Sequence, residues 1–261
     1  MTANSAAVVV PSCDAYSDVW HPFFTFFRHN WPDCPYPLYL VSNHLRFEAP
    51  GVRALTVGRD VSWSDNLRAA LESVKENYIL LFIDDLLIVR RVSTQRIGQA
   101  VAWLEARQGN YLRLNGFPPP ERLISPDFGV VAKGSLYRTA TVASVWRKQV
   151  LAELLAPGES AWDFETRGSW RSDAYDDFYS TRRPVIFVMN AIIKGKWRRS
   201  AQRRLTEMGI PNQCSTRPMM TITEELTFRA QLLSNRALYL APPAWRRRLR
   251  DNILATFRGH Q

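Results

Sequence analysis

The sequence predicts an α/β protein in which short strands alternate with amphipathic helices and which ends in a basic, mostly helical extension. Three observations carry this expectation. Apolar runs of strand length recur at residues 6–10, 38–41, 52–57 and 78–83. Helically spaced apolar residues fall between and after them. Charge is segregated: residues 1–180 hold 18 Lys and Arg against 20 Asp and Glu, a net −2, whereas residues 181–261 hold 16 against 4, a net +12.

Each element follows from local chemistry. Residues 6–10 (AAVVV) form a strand that runs into a Pro-Ser-Cys-Asp loop, after which Trp20, Phe23, Phe24 and Phe27 stand at helical spacing. Residues 38–41 and 52–57 are two more short strands with turn-rich connections. A helix over 64–76, capped by Ser62 or Ser64, carries Leu67, Ala70, Leu71 and Val74 as an i, i+3, i+4, i+7 stripe. The strand at 78–83 follows directly. Ser93 caps the next helix, with Ile97, Val101 and Leu104 inward, and the regular alternation ends near residue 107. Beyond it, residues 111–114 read as a short strand, Asn115-Gly116 as a turn and Pro118 to Pro120 as an exposed loop. Residues 143–156 read as a helix with Trp146, Val150, Leu151 and Leu154 inward, stopped by Pro157-Gly158. A last strand at 185–189 leads to the basic segment 194–199. No repeat and no evident linker is present; the expected organisation is an α/β domain over 1–200 and a basic, mostly helical extension over 201–261.

Composition narrows the class. At 46% hydrophobic and 12% aromatic over 261 residues, the chain can pack a core, which excludes a disordered protein. No apolar run reaches the roughly 18 residues that span a bilayer, and no basic-then-apolar leader opens the chain, so a cytoplasmic protein is expected. Cys13, Cys34 and Cys214 are odd in number and widely spaced, which fits neither a disulfide framework nor a zinc site. The four histidines lack metal-ligand spacing. The basic carboxyl-terminal third points to polyanions: nucleic acid, phosphate-bearing substrates or an anionic membrane surface.

The most informative stretch is YILLFIDDLLI, residues 78–88. An apolar strand there delivers Asp84 and Asp85 to its carboxyl end, where open α/β sheets bind ligands. Adjacent carboxylates are unfavourable in that setting unless a cation or proton compensates them. A divalent cation, Mg²⁺ or Mn²⁺, carrying a nucleotide phosphate suits both oxygen-rich side chains. A purely structural reading has the pair capping the next element or meeting Arg90 and Arg91. A second acidic stretch, GESAWDFE at 158–165, follows a Pro-Gly break; Glu159, Asp163 and Glu165 cannot all share one helical face. They are candidates for a general base, or acids that stabilise a helix dipole in its first turn.

The order strand, loop, helix, two strands, helix, strand, diacid, together with VVVPSCD at 8–14, IDD at 83–85 and GESAWDFE at 158–165, resembles the bacterial GT-A-fold, nucleotide-sugar-dependent glycosyltransferases of polysaccharide and lipopolysaccharide biosynthesis. The resemblance covers roughly residues 6–200. It implies a GT-A-like, Rossmann-like mixed central sheet flanked by helices, and a sugar transferred from a nucleotide-sugar donor to a glycan or lipid-linked acceptor, with inversion. It implies Ser12, Asp14 and Asp84 at the nucleotide, Asp85 with Asp84 at the metal, and Glu165, then Glu159, then Asp163 as the base. The family's usual acidic motif is Asp-x-Asp, and here Phe82 and Leu86 stand where that spacing would be completed around Asp84.

Lys194, Lys196 and Arg198 are candidates for holding the diphosphate leaving group, or form a solvated basic face. Trp162, Trp170 and Tyr175 offer faces for stacking on sugar rings, or belong to the core. Residues 244–257 combine Arg246, Arg247, Arg248 and Arg250 with Trp245, Leu249, Ile253, Leu254 and Phe257 at near-helical spacing. Such a helix suits the inner face of the cell membrane, or packs on its own domain. Two other functions remain open from the sequence: a nucleotidyltransferase, which also brings carboxylates and a metal to a strand end, and a non-catalytic polyanion-binding protein. No zinc-finger or RNA-recognition signature is present, so nucleic acid is not an expected partner.

Overall fold

A computed structural model describes residues 5–210, 217–237, 239, 245 and 246. The strands are β1 (Ala6–Pro11), β2 (Leu38–Ser42), β3 (Val52–Thr56), β4 (Tyr78–Leu81), β5 (Leu86–Ile88), β6 (Tyr111–Arg113), β7 (Arg122–Leu123), β8 (Phe128–Val130), β9 (Ser144–Arg147), β10 (Phe178–Thr181), β11 (Val188–Asn190), β12 (Ile192–Ile193) and β13 (Lys196–Trp197). The helices are α1 (Ser17–Asn30), α2 (Trp63–Ser73), α3 (Thr94–Ala106), α4 (Lys148–Leu154), two single turns α5 (Ala161–Asp163) and α6 (Ser169–Arg171) joined by a π-helical turn (Phe164–Gly168), then α7 (Arg199–Glu207) and α8 (Ile222–Ala237).

Nine strands form one mixed sheet in the order β3-β2-β1-β4-β9-β6-β10-β8-β7. The first four are parallel. β9 runs antiparallel between β4 and β6. Both faces are covered, and the period-two geometry of β1 explains its continuous apolar sequence: Ala6, Val8 and Val10 face one layer of core while Ala7 and Val9 face the other. The first layer receives Trp20, Phe23, Phe24, Phe26 and Phe27 of α1 with Ile97, Val101 and Leu104 of α3. The second receives Leu67 and Leu71 of α2 with Val150, Leu151 and Leu154 of α4.

Helix starts follow the expected caps. Ser62 accepts from the Asp65 N–H, and Ser93 from the Arg96 N–H. Three expectations are corrected. The helix expected over 143–156 begins only at Lys148, because Ser144–Arg147 is a strand paired on both sides; Val145 and Trp146 are buried on opposite faces, and such a strand shows no polar alternation. The strand expected at 185–189 is shifted to β11, which pairs with β5 in a separate two-stranded sheet. The irregular region also holds a strand that was not expected: β10 lies inside the main sheet between β6 and β8.

The described residues of the carboxyl-terminal third are tied to the same body. Ala201, Leu205 and Ile210 join the first core layer with Trp197. α8 is held to the preceding hairpin by Lys196–Glu224 at 2.6 Å and by Arg198–Glu225 at 2.5 Å. The amphipathic helix expected over 244–257 lies outside the described residues except for Trp245 and Arg246.

Candidate active site

β4 delivers the two acids as the sequence suggests, with one refinement. Pairing persists past the strand's end, since the Phe82 N–H donates to the Val9 carbonyl at 3.1 Å. The chain then turns, with the Leu86 N–H donating to Ile83, and Asp84 and Asp85 stand at the tip between β4 and β5. The Asp85 carbonyl accepts from the Ala191 N–H at 2.7 Å, which braces the tip against the segment leaving β11. Both acids line a cavity of about 460 Å³ at the carboxyl ends of β1 and β4, together with Ser12, Tyr16, Trp63 and Trp162.

Asp84 is buried, Asp85 partly so. Burial, reinforced by the neighbouring Asp85 charge, pushes the Asp84 carboxyl up to about 8 against an opposing hydrogen bond from Ser12. Burial and then the charge of Glu165 push Asp85 up to about 7. Neither acid forms an ion pair among the described residues. Arg90, one of the two arginines considered as their partners, instead lies over the Phe187 ring, 4.4 Å from its centroid. The site therefore carries two carboxyl groups short of positive charge.

A second cavity, of about 530 Å³, opens beside the first and is lined by Glu165, Trp162, Phe117, Leu232 and Leu233 among others. Trp162, 72% exposed, lines both. Ser160 and Asp163 form a capping box that starts the helical stretch at Ala161. The π-helical turn that follows carries Glu165, whose Oε1 accepts from the Thr141 N–H at 2.7 Å and the Thr141 hydroxyl at 2.6 Å.

The three candidate bases thus part company. Glu165 lines the second cavity and its charge reaches Asp85. Glu159 is buried and engaged by Arg171 through both carboxylate oxygens, at 2.8 and 2.5 Å. Asp163 serves the cap and lies 3.7 Å from Arg167. Of the other expected residues, Ser12 reaches the diacid and its hydroxyl donates to Asp84. Asp14 instead accepts from the backbone N–H groups of Asn43, His44 and Leu45 and pins the loop after β2. Lys194 lies in the turn of the β12–β13 hairpin and Lys196 begins β13, and both line a different surface cavity with Glu224 and Phe228. Trp170 is exposed, and the Tyr175 hydroxyl donates to Glu153.

Arg217 is the functional candidate that sequence reading missed. It grips Asp18 of α1 at 3.0 and 3.1 Å, donates to the Ala15 carbonyl, and lies over the Tyr16 ring 4.3 Å from its centroid. Its charge acts on both Asp84 and Asp85, lowering each. Only a long-range contact brings it there, 199 residues from Asp18, and no local pattern could have signalled it.

The acids fit a hard divalent cation: they offer carboxylate oxygens, have no ion-pair partner among the described residues, and resist ionisation because they are buried and stand beside other acids. Among the described residues no group of three or more His, Cys, Asp and Glu side chains is arranged to hold a metal. Mg²⁺ or Mn²⁺ at this place would accordingly rest on one or both acids plus phosphate oxygens of a ligand.

The fold is a mixed, GT-A-like α/β sheet flanked by helices. UTP-bound UGPase from Acinetobacter baumannii aligns with a TM-score of 0.50 at 8% identity, over 87% of this chain and 98% of its own. TarS 1-349 from S. aureus aligns at 0.46 and 12% identity, over 67% and 57%. A mannosyltransferase from Pyrobaculum calidifontis, solved with GDP-Man and Mn²⁺, aligns at 0.46 and 12%, over 73% and 58%. The chain therefore spans less than two thirds of the length of TarS 1-349 and of the mannosyltransferase. No family model and no curated protein matches it.

Proposed function

We propose that this protein is a glycosyltransferase that moves a sugar from a nucleotide-sugar donor to a hydroxyl of a glycan or lipid-linked acceptor, in bacterial polysaccharide or lipopolysaccharide assembly. One observation carries the reading. A cavity bearing two charge-deficient acids and a cavity bearing a hydrogen-bonded glutamate meet at one exposed tryptophan, Trp162. Two substrates bound side by side, one with phosphates at the acids and one with a hydroxyl at the glutamate, are what group transfer requires.

In this reading Ser12, Asp84 and Asp85 receive the donor's nucleotide and diphosphate. Asp84 and Asp85 would hold a divalent cation, which would supply positive charge to the diphosphate. Arg217, ion-paired with Asp18 behind Tyr16, adds positive charge that acts on both acids. Glu165, oriented by Thr141, takes the proton of the acceptor hydroxyl. The acceptor oxygen bonds to the anomeric carbon, the carbon–oxygen bond to the diphosphate breaks, and its electron pair leaves on the phosphate oxygen with inversion of configuration. The net +12 of residues 181–261 supports attachment to the inner face of the cell membrane by the carboxyl-terminal segment. Among the described residues no helix is long and apolar enough to cross a membrane.

The test is a melting-temperature panel of nucleoside diphosphates and nucleotide sugars with and without Mn²⁺. A ligand that binds only the folded state raises the midpoint, and a flat response across the panel rejects the reading. A nucleotidyltransferase is the second reading, supported by the likeness to UTP-bound UGPase over nearly the whole of that chain. It releases pyrophosphate from a nucleoside triphosphate, whereas sugar transfer releases a nucleoside diphosphate.

A further inference from the structure

A further cavity, of about 340 Å³, lies between α3 and the end of β10. Arg96, Gln99 and Trp103 stand at i, i+3 and i+7 on α3, so one helical face supplies them. Arg183 comes from the segment that follows β10, and Asp127 from the residue before β8. Chain directions put the end of β10 at the same sheet edge as the diacid, with β9 and β6 lying between β4 and β10. A Cβ on Gly116 would come within 3.0 Å of the Pro184 nitrogen and 3.1 Å of the Arg183 carbonyl carbon, while Asn115 and Phe117 on either side of it line the Glu165 cavity. One turn therefore forms part of the Glu165 cavity and braces the segment that carries Arg183.

Two guanidinium groups thus line one cavity. Among the described residues neither Arg96 nor Arg183 forms an ion pair or a side-chain hydrogen bond, and the Asp127 carboxylate forms none either. Like charges gathered at one place repel unless an anion lies between them. Thr181, also in the lining and 2% exposed, has a buried hydroxyl without a hydrogen-bond partner, which is unfavourable until a ligand or water supplies one. Trp103 and Phe128 stack on each other with centroids 4.2 Å apart, and Arg107 lies over the Trp103 ring, 4.3 Å from its centroid. The aromatic pair is therefore engaged within the protein, and Ala100 and Val185 add little surface. What the cavity has to offer a ligand is polar: two cations, a hydroxyl, the Gln99 amide and one carboxylate.

We infer that this cavity is a second anion site, separate from the diacid, that binds a phosphate group accompanied by a hydroxyl: hydrogen phosphate itself or a small hydroxylated phosphate ester. Arg96 and Arg183 take the charged oxygens, because the planar guanidinium fork matches two oxygens of one phosphorus. The Thr181 hydroxyl gains an acceptor in one of these oxygens. Asp127 repels a bare anion and accepts from a P–OH or an alcohol hydroxyl. Hydrogen phosphate carries such a donor at neutral pH and sulfate does not, so the wall that attracts charge also selects among anions. None of these residues lines the diacid or the Glu165 cavity, so the inference stands apart from the sugar-transfer reading.

Calorimetric titration of the full chain at neutral pH and constant ionic strength, with inorganic phosphate, glycerol 3-phosphate and sulfate, tests it. Inorganic phosphate is expected to bind at least about tenfold more tightly than sulfate. Glycerol 3-phosphate is expected to bind as well, and whichever of the two phosphates binds more tightly identifies the free anion or the ester as the source. Arg96→Gln and Arg183→Gln, both at exposed positions, are each expected to weaken phosphate by about tenfold or more with the melting point of the free protein unchanged. Asp127→Asn is expected to abolish the preference over sulfate. A saturating nucleoside diphosphate is expected to leave phosphate affinity as it was. Absence of phosphate binding, equal affinity for phosphate and sulfate in the wild type, indifference to both arginine variants, or displacement of phosphate by the nucleoside diphosphate overturns the inference.

Discussion

The hydroxyl of Ser12 donates to Oδ2 of Asp84, 72 residues away, while accepting from Trp20 Nε1 at 2.7 Å. The loop after β1, the first helix and the tip after β4 therefore converge on one carboxylate. This bond is the main interaction favouring the ionised form of Asp84 against burial and the adjacent acid.

Ser12→Ala removes that donor. The Asp84 carboxyl is expected to rise further, and affinity for nucleoside diphosphate with Mn²⁺ at neutral pH to fall by about tenfold, the scale of one hydrogen bond to a charged group. Titration of wild type and variant across pH checks it, and equal affinities at all pH values would remove Ser12 from the site.

Linkage gives a pH dependence with a definite sign. Asp84 and Asp85 are raised to about 8 and about 7 from 3.8, so the folded chain holds protons that the unfolded chain has lost. Their contribution to stability is fully present below about pH 4 and is lost as pH rises through 7 to 8. Asp84→Asn is expected to flatten this fall, with its melting point gaining on wild type as pH increases. Cation and nucleotide binding at the ionised acids is expected to release protons near pH 6.5, detectable as a dependence of binding heat on buffer ionisation enthalpy.

Glu165 and Glu159 separate by readout. Glu165→Gln is expected to lower kcat by about 10²-fold or more with donor affinity and melting point little changed, as loss of a general base does. Glu159→Gln strips charge from the bidentate contact with Arg171 and is expected to lower stability by about 2 kcal/mol while the folded fraction keeps its kcat. Full turnover in Glu165→Gln would refute its assignment as the base.

Arg217→Met removes the charge that acts on both acids and the clasp on Asp18. Nucleoside diphosphate is expected to bind about tenfold or more weakly, the nucleoside itself unchanged, since only the former carries phosphate. Equal losses for both ligands would point to displaced structure around Tyr16 in place of lost phosphate affinity.

Much of the fold was legible because its signals are local. Ser62 and Ser93 announce helix starts through side-chain caps, and the stripe Leu67, Ala70, Leu71 marks the buried face of α2. The diacid was legible for the same reason, since charge placed directly after an apolar run has few structural explanations. β9 and β10 were not. Ser-Val-Trp-Arg acquires its strand geometry from β4 on one side and β6 on the other, and that pairing is invisible within the segment.

The alternation of elements up to about residue 107, the two acids at a strand end and the basic final third are properties of the sequence itself, because periodicity, capping and charge act over a few residues. Which glutamate borders a cavity, which are spent on Arg171 or a helix cap, and that Arg217 stands near the diacid were decided only in three dimensions. Those outcomes depend on contacts between segments far apart in the chain, whose identity is set by packing and not by neighbouring residues.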